Sequence, residues 1–182
     1  MPENTLVLAG LEGLAIHEHL ARDAENAALA IRTLADTDDA DTACSAMQES
    51  DTLVLGLPLT DNMVERGFSL VSAAKTVGVR HIIFLSRYAA AHDAHWRLGR
   101  ETGRIDLAVE QSGLPFTILR PNTLMSAAFS LPPDGQDTIR LPGADAAVSY
   151  LHPADLSRCI LAVANAVDDH AGRTYAVTGP EA

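Results

Sequence analysis

Lysine is almost missing from this chain: Lys75 stands alone among 182 residues, and Lys and Arg together number 13 against 24 Asp and Glu. A net charge of -11 with no basic cluster argues against a nucleic-acid partner and against anionic membrane surfaces. There are only two cysteines, Cys44 and Cys159, far apart and without metal-ligand spacing. They read as reduced, small apolar residues in a cytoplasmic chain. No apolar run approaches the roughly 18 residues of a membrane helix, and Met1-Pro2-Glu3-Asn4 lacks the basic flank of a secretory signal. Repeats, low-complexity tracts and internal linkers are absent too, so residues 1–182 are expected to form one domain.

What the chain does have is a series of short, continuous apolar runs. Thr5 to Ala9, Thr52 to Leu57, His81 to Leu85 and Phe116 to Leu119 are apolar along their length rather than alternating. That is the pattern of parallel strands covered by helices on both faces. Between them lie helical patterns: a stretch opening at Gly10 and running to about Ala24, a helix over 42–49, and one over 61–77 with Val64, Phe68, Val71 and Ala74 on its apolar face. Another over 98–111 buries Leu98, Ile105, Ala108 and Val109. Leu156, Ile160, Val163 and Val167 stripe a last helix that starts at Pro153. Further short strands are expected at 28–34, 138–141, 148–151 and 174–177, a short helical segment at 123–129 and a loop at 131–137. The fold class that follows is α/β, a Rossmann-like doubly wound and mainly parallel sheet. Only two strands precede the central crossover, where a full nucleotide-binding half has three, so one βα unit is missing.

In such sheets ligands gather beyond the carboxyl ends of the strands. Ser86 and Tyr88 follow one strand, and Arg120, Asn122 and Thr123 follow another, closed by Pro121. These residues are expected at a substrate pocket, although Arg120 reads equally well as tying its strand end to carbonyls or a carboxylate. Gly10-Leu11-Glu12-Gly13 is a G-x-x-G at a strand-to-helix turn, where backbone without Cβ lets a phosphate approach the helix N-terminus. Ile16 stands where the dinucleotide fingerprint has its third glycine. Arg32 or Asp36 falls about 20 residues after Gly10, where a ribose-reading residue would sit, with a solvated charge as the plainer reading. The loop from Ser86 to Trp96 holds the densest polar chemistry. Tyr88, His92 and His95 suit acid–base work near neutral pH, whereas the local His-x-x-His spacing without a distant third ligand gives no metal site.

Three segments together resemble the NmrA-like branch of atypical short-chain dehydrogenases/reductases: Val79 to Ser86, Ser112 to Asn122 and Ala171 to Ala182. The resemblance covers 52–182 well and leaves 1–51 as a degenerate nucleotide-binding half. It implies NADP(H) or NAD(H) as cofactor, with Gly10 and Gly13 facing the pyrophosphate, Leu57 and Pro58 bordering the cofactor and Ser86 near the nicotinamide. The Tyr-x-x-x-Lys pair of the main branch is absent, because His92, Ala154 and Gly179 stand four places after Tyr88, Tyr150 and Tyr175. The implied activity is reduction of a small-molecule carbonyl, enone or quinone, with Ser86, Tyr88, His92 and His95 as catalytic candidates. Two alternatives stand beside it. One is a cofactor-independent isomerase, cyclase or lyase using Tyr88, His92, His95 and His152; the other is a non-catalytic redox-sensing regulator. The helix pair 61–77 and 98–111 offers a homo-oligomer interface.

Overall fold

Short runs of five or six residues, the central ones apolar along their length, supply the sheet. The computed structural model describes residues 4–11, 14–34, 39–126 and 147–180. Its strands are β1 (Thr5–Ala9), β2 (Ala30–Leu34), β3 (Thr52–Gly56), β4 (His81–Leu85), β5 (Phe116–Pro121) and β6 (Arg173–Val177). All pair in parallel, in the order β2-β1-β3-β4-β5-β6. The chain therefore moves outward from β1 to β2, then returns past β1 to lay down β3. That reversal makes a topological switch point between β1 and β3. Two strands, β1 and β2, lie on its near side, as expected from the missing βα unit.

The helices are α1 (His17–Asn26), α2 (Ala40–Met47), α3 (Met63–Val77), α4 (Arg97–Glu110), α5 (Pro153–Asn165) and the short α6 (Val167–His170). Successive strand residues point to opposite faces, so each strand feeds two cores. Val7, Leu53, Leu55, Phe84 and Ile118 pack with Met47 of α2, Leu70 and Ala74 of α3, and Ile105 of α4. Leu6, Leu8, Val54, Ile83 and Leu119 pack with Leu20 of α1 and with Leu156 and Ile160 of α5. Local signals set the helix ends. The Asp39 carboxylate caps α2 by accepting from the Thr42 amide at 2.9 Å, Gly78 stops α3 in the left-handed conformation at φ 78°, and Pro153 takes the first turn of α5 behind a His152 cap.

Several expectations need correction. The helix read from Gly10 begins only at His17. Phe68 is 40 % exposed on α3, with the Arg104 guanidinium 5.8 Å from its ring centroid, while Gly67 and Leu70 take the buried face. Val148 to Leu151 is not a strand: only the bridge Leu124–Leu151 forms there. Val167 falls in α6 rather than on the stripe of α5. The segments 131–137 and 138–141, and 123–129 beyond Ser126, lie outside the described residues.

At the amino edge of the sheet a histidine is built into the core. His81 is 1 % exposed, and its Nε2 lies 2.8 Å from Thr117 Oγ1. The Thr117 hydroxyl donates to the His170 carbonyl at 2.8 Å, so it accepts from His81 and Nε2 carries the proton. Burial holds the pKa down from 6.5 to about 4, against the pull of Asp168 and with a further push from His170. In the unfolded chain His81 binds a proton below about pH 6.5, and in the folded one only near 4. Its contribution to stability is thus complete above the first value and lost as pH falls to the second. The loss is on the order of 3 kcal/mol. Urea titrations at pH 7.5, 6, 5 and 4 are expected to show that decline in the wild type and a flatter one in His81→Gln. Parallel profiles would refute it.

Candidate functional site at the carboxyl edge

The sheet's carboxyl edge opens into a cleft of about 360 Å³. Leu14, Leu57, Leu85 and Leu156 give it apolar walls, and Ser86, Arg87, Tyr88, Asn122 and Thr123 supply its polar groups. The β4–β5 pairing continues past β4, with Ser86 N–H donating to Leu119 O at 2.8 Å and Tyr88 N–H to Pro121 O at 3.2 Å. This zips residues 86–88 alongside 119–121 and fixes both loops at one end of the sheet. Tyr88 is 56 % exposed, so its hydroxyl is not buried in the protein.

Beneath the cleft floor lies a polar cluster that sequence reading missed. Arg120 is not among the residues lining the cleft: it donates to Asp106 of α4 at 2.9 Å, a contact of the kind its reading as a strand-end tie to a carboxylate describes. The Asp106 side chain is only 5 % exposed. Burial raises its pKa, while the Ser86 hydroxyl and the Arg120 charge and hydrogen bond pull it back. Ser86 Oγ is covered, set beside this carboxylate without reaching ordinary hydrogen-bond geometry. Ser86 thus lines the cleft while its hydroxyl belongs to the floor. Asp106 was detectable in principle, because it shares the helical stripe of Thr102, Ile105 and Val109, where an unpaired charge would not be tolerated.

The histidine-bearing loop leads away from the cleft. At Gly103 of α4 an added Cβ would lie 2.2 Å from the Ala91 carbonyl carbon, and at Gly99 2.4 Å from the Trp96 ring. Those two glycines let residues 91–96 lie flat on α4, held further by Arg100 Nη1 on the Ala94 and His95 carbonyls at 3.0 and 3.2 Å. His92 and His95 are exposed there and do not line the cleft. His152 is spent on capping, its Nδ1 accepting from Ala154 N–H at 3.1 Å, with the His19 ring edge-on at 5.8 Å. Among the described residues no three His, Cys, Asp or Glu side chains converge as a metal site.

At the switch point, Gly10 has φ +68° and its Cβ position lies 1.9 Å from the Gly56 carbonyl oxygen, so its bareness serves the approach of β1 to β3. Gly13 and Asp36 lie outside the described residues, Pro58 is half-buried without lining the cleft, and Arg32 ties β2 to the Ala46 and Glu49 carbonyls. The α1 N-terminus fits a pyrophosphate: Ile16 occupies its cap position with no side-chain acceptor for the first N–H groups, and its own side chain is fully buried. A helix start left open in this way offers donors and a positive dipole end to an anion. Leu14 and Leu57 then lead from that terminus to the cleft.

A parallel sheet with an open helix terminus at its switch point and an apolar cleft beyond the strands defines a dinucleotide-binding domain of Rossmann type. The chain belongs to the family described as NAD(P)H-binding, whose model matches residues 15–167. NADP(H) or NAD(H) is accordingly the cofactor of its family. It is 28 % identical over 172 residues, 90 % of its length, to an NAD(P)H azoreductase from Xenophilus azovorans. It is 36 % identical over 116 residues, 62 % of its length, to a (4-alkanoyl-5-oxo-2,5-dihydrofuran-3-yl)methyl phosphate reductase from Streptomyces griseus. These matches span 59 % and 41 % of the two relatives. The solved structure of NmrA, a negative transcriptional regulator in complex with NAD, superposes over 100 % of this chain and 68 % of its own, with a TM-score of 0.79 at 16 % identity. The fold expected from the resemblance to the NmrA-like branch is borne out, and so is an NAD(P)H-binding family.

Proposed function

We propose that this chain, acting as one domain in the cytoplasm, binds NADPH or NADH across the β1/β3 switch point and reduces a small-molecule carbonyl, enone or quinone in the cleft. The observation that carries this reading is the continuity of the open α1 terminus with the apolar cleft at Leu14 and Leu57, in a member of an NAD(P)H-binding family. The names of the two relatives, both reductases, support it. The cofactor would supply hydride. The chain's own part is to seat the phosphates on the α1 amides, keep a flat ring between leucines, and present Tyr88 at the rim as the proton donor. Tyr88 takes this role ahead of His92 and His95 because it alone of the three lines the cleft. No helix among the described residues is long and apolar enough to cross a membrane.

The test is a titration with NADPH and NADH that follows the fluorescence of Trp96, the only tryptophan, which is 44 % exposed on the loop beyond the cleft. Calorimetry serves as the check. Micromolar dissociation constants are expected for at least one nucleotide, and Tyr88→Phe is expected to lower quinone or enone turnover about 10²-fold without loosening the nucleotide. Absence of binding at millimolar nucleotide would overturn the redox reading.

A further inference from the structure

Arg87 is a charge with no counter-charge among the described residues. It follows Ser86 at the carboxyl end of β4, is half-buried, and lines the cleft. Its guanidinium makes one hydrogen bond, Nη2 to the Leu57 carbonyl at 3.3 Å, and among the described residues no carboxylate pairs with it. Arg22, Arg80, Arg97, Arg120 and Arg158 each meet an Asp or Glu within 3.5 Å, and of the described arginines without such a pair Arg87 is the one that lines the cleft. Burial alone pulls the Arg87 pKa down, with no neighbouring charge to restore it. The chain carries a net charge of -11, yet among the described residues no carboxylate forms an ion pair with this cation.

A partly desolvated guanidinium with donors facing a cleft suits an anion, because its planar fork matches a carboxylate or phosphate with two parallel hydrogen bonds. Partial burial weakens its hydration, and an anion in the cleft would restore part of what is lost. Two ligands could bring one: the dinucleotide through its phosphates, or the substrate. The dinucleotide's pyrophosphate already has a seat at the α1 terminus beyond β1, whereas Arg87 stands at the ends of β3 and β4 beside Tyr88. We propose that Arg87 receives an anionic group, a carboxylate or phosphate, carried by the substrate beside Tyr88, so that the cleft selects acidic small molecules over neutral analogues. This rests on the reading of the cleft as the substrate site of an NAD(P)H-dependent reductase.

The test pairs a quinone bearing a carboxymethyl arm with its methyl ester, and compares kcat/KM with NADPH in the wild type, Arg87→Gln and Arg87→Lys. Comparing the acid-to-ester ratio between proteins cancels the intrinsic reactivity of the two quinones. The ratio is expected to fall about tenfold or more in Arg87→Gln, chiefly through KM for the acid, and to recover in part in Arg87→Lys, which keeps the charge and loses the fork. Raising the salt concentration is expected to lower the ratio in the wild type only modestly, since the pair is half-buried. An unchanged ratio together with a tenfold weaker NADPH affinity in Arg87→Gln would assign the anion to the cofactor and overturn the proposal. Should the wild type reduce neither quinone, the redox reading fails by itself. Equilibrium binding of acid and ester, followed at Trp96, then decides Arg87 independently: equal affinities in wild type and Arg87→Gln overturn it, and a selective loss of the acid sustains it.

Discussion

Replacing Gly10 by alanine is expected to cost about 3 kcal/mol of folding stability, well beyond the ordinary penalty for a glycine at positive φ. Two effects add. An L-residue at φ +68° carries roughly 1–2 kcal/mol of backbone strain. The new methyl would also sit 1.9 Å from the Gly56 carbonyl oxygen and 3.0 Å from its carbon, backbone atoms that cannot rotate away. Relief requires β1 and β3 to part next to the Ala9–Leu55 pair, a distortion of the overpacking kind worth a further 1–3 kcal/mol. The control is Gly113→Ala, at φ +81° with nothing within 4 Å of the added Cβ, which should show the strain alone. Urea midpoints of the two variants measure the difference. Equal losses would mean that the strands separate freely at the switch point. Expected losses of this size also change how nucleotide binding is read: a Gly10 variant that fails to bind NADPH has first failed to pair β1 with β3.

The pieces of the sheet were legible because each central strand is buried on both faces, which turns it into an unbroken apolar word such as His81 to Leu85 or Thr52 to Gly56. Edge strands were harder. β2 exposes Arg32 and Thr33 and lies in the stretch with the least clear pattern, and Val148 to Leu151 looks like a strand by composition yet gains no ladder beyond one bridge. Helix faces were legible apart from two side chains: Val167 falls beyond α5, and Phe68 has the right spacing to be buried, but α3 meets α4 through Gly67, over which Ile105 packs, and leaves the ring outside. At the site, Ser86, Tyr88, Asn122 and Thr123 could be found because position after a parallel strand is itself the signal. Proximity between distant segments was not. The richest polar loop in the sequence proved to be laid on α4 by Gly99 and Gly103, taking His92 and His95 with it, while Asp106, 14 positions before its partner Arg120, gave no sign of the pairing.

That pair carries the second large expectation. Arg120→Leu is expected to lose about 3 kcal/mol at neutral pH, the low end for breaking a buried ion pair, since Arg120 is 30 % exposed while Asp106 is 5 % exposed. The pH dependence distinguishes a lost charge from lost packing. In the native protein burial holds the Asp106 carboxyl above its usual range, with the Ser86 hydroxyl and Arg120 acting the other way. An acid whose folded pKa is raised binds its proton more readily folded than unfolded. Its contribution is therefore fully favourable below the unfolded value of 3.8 and is lost as pH rises through the folded one. Without Arg120 the folded value climbs further. The deficit of Arg120→Leu should accordingly widen from pH 4 to pH 8, whereas a loss of packing alone would be the same at every pH. Adding Asp106→Leu should recover most of the deficit, because an apolar pair leaves no stranded carboxylate. If Arg120→Leu matches the wild type at pH 8, the carboxylate has kept its water, and the floor under Ser86 is open rather than sealed. A sealed floor makes Tyr88, Asn122 and Thr123 the polar groups left to meet a substrate's neutral end, with Arg87 to meet its charge.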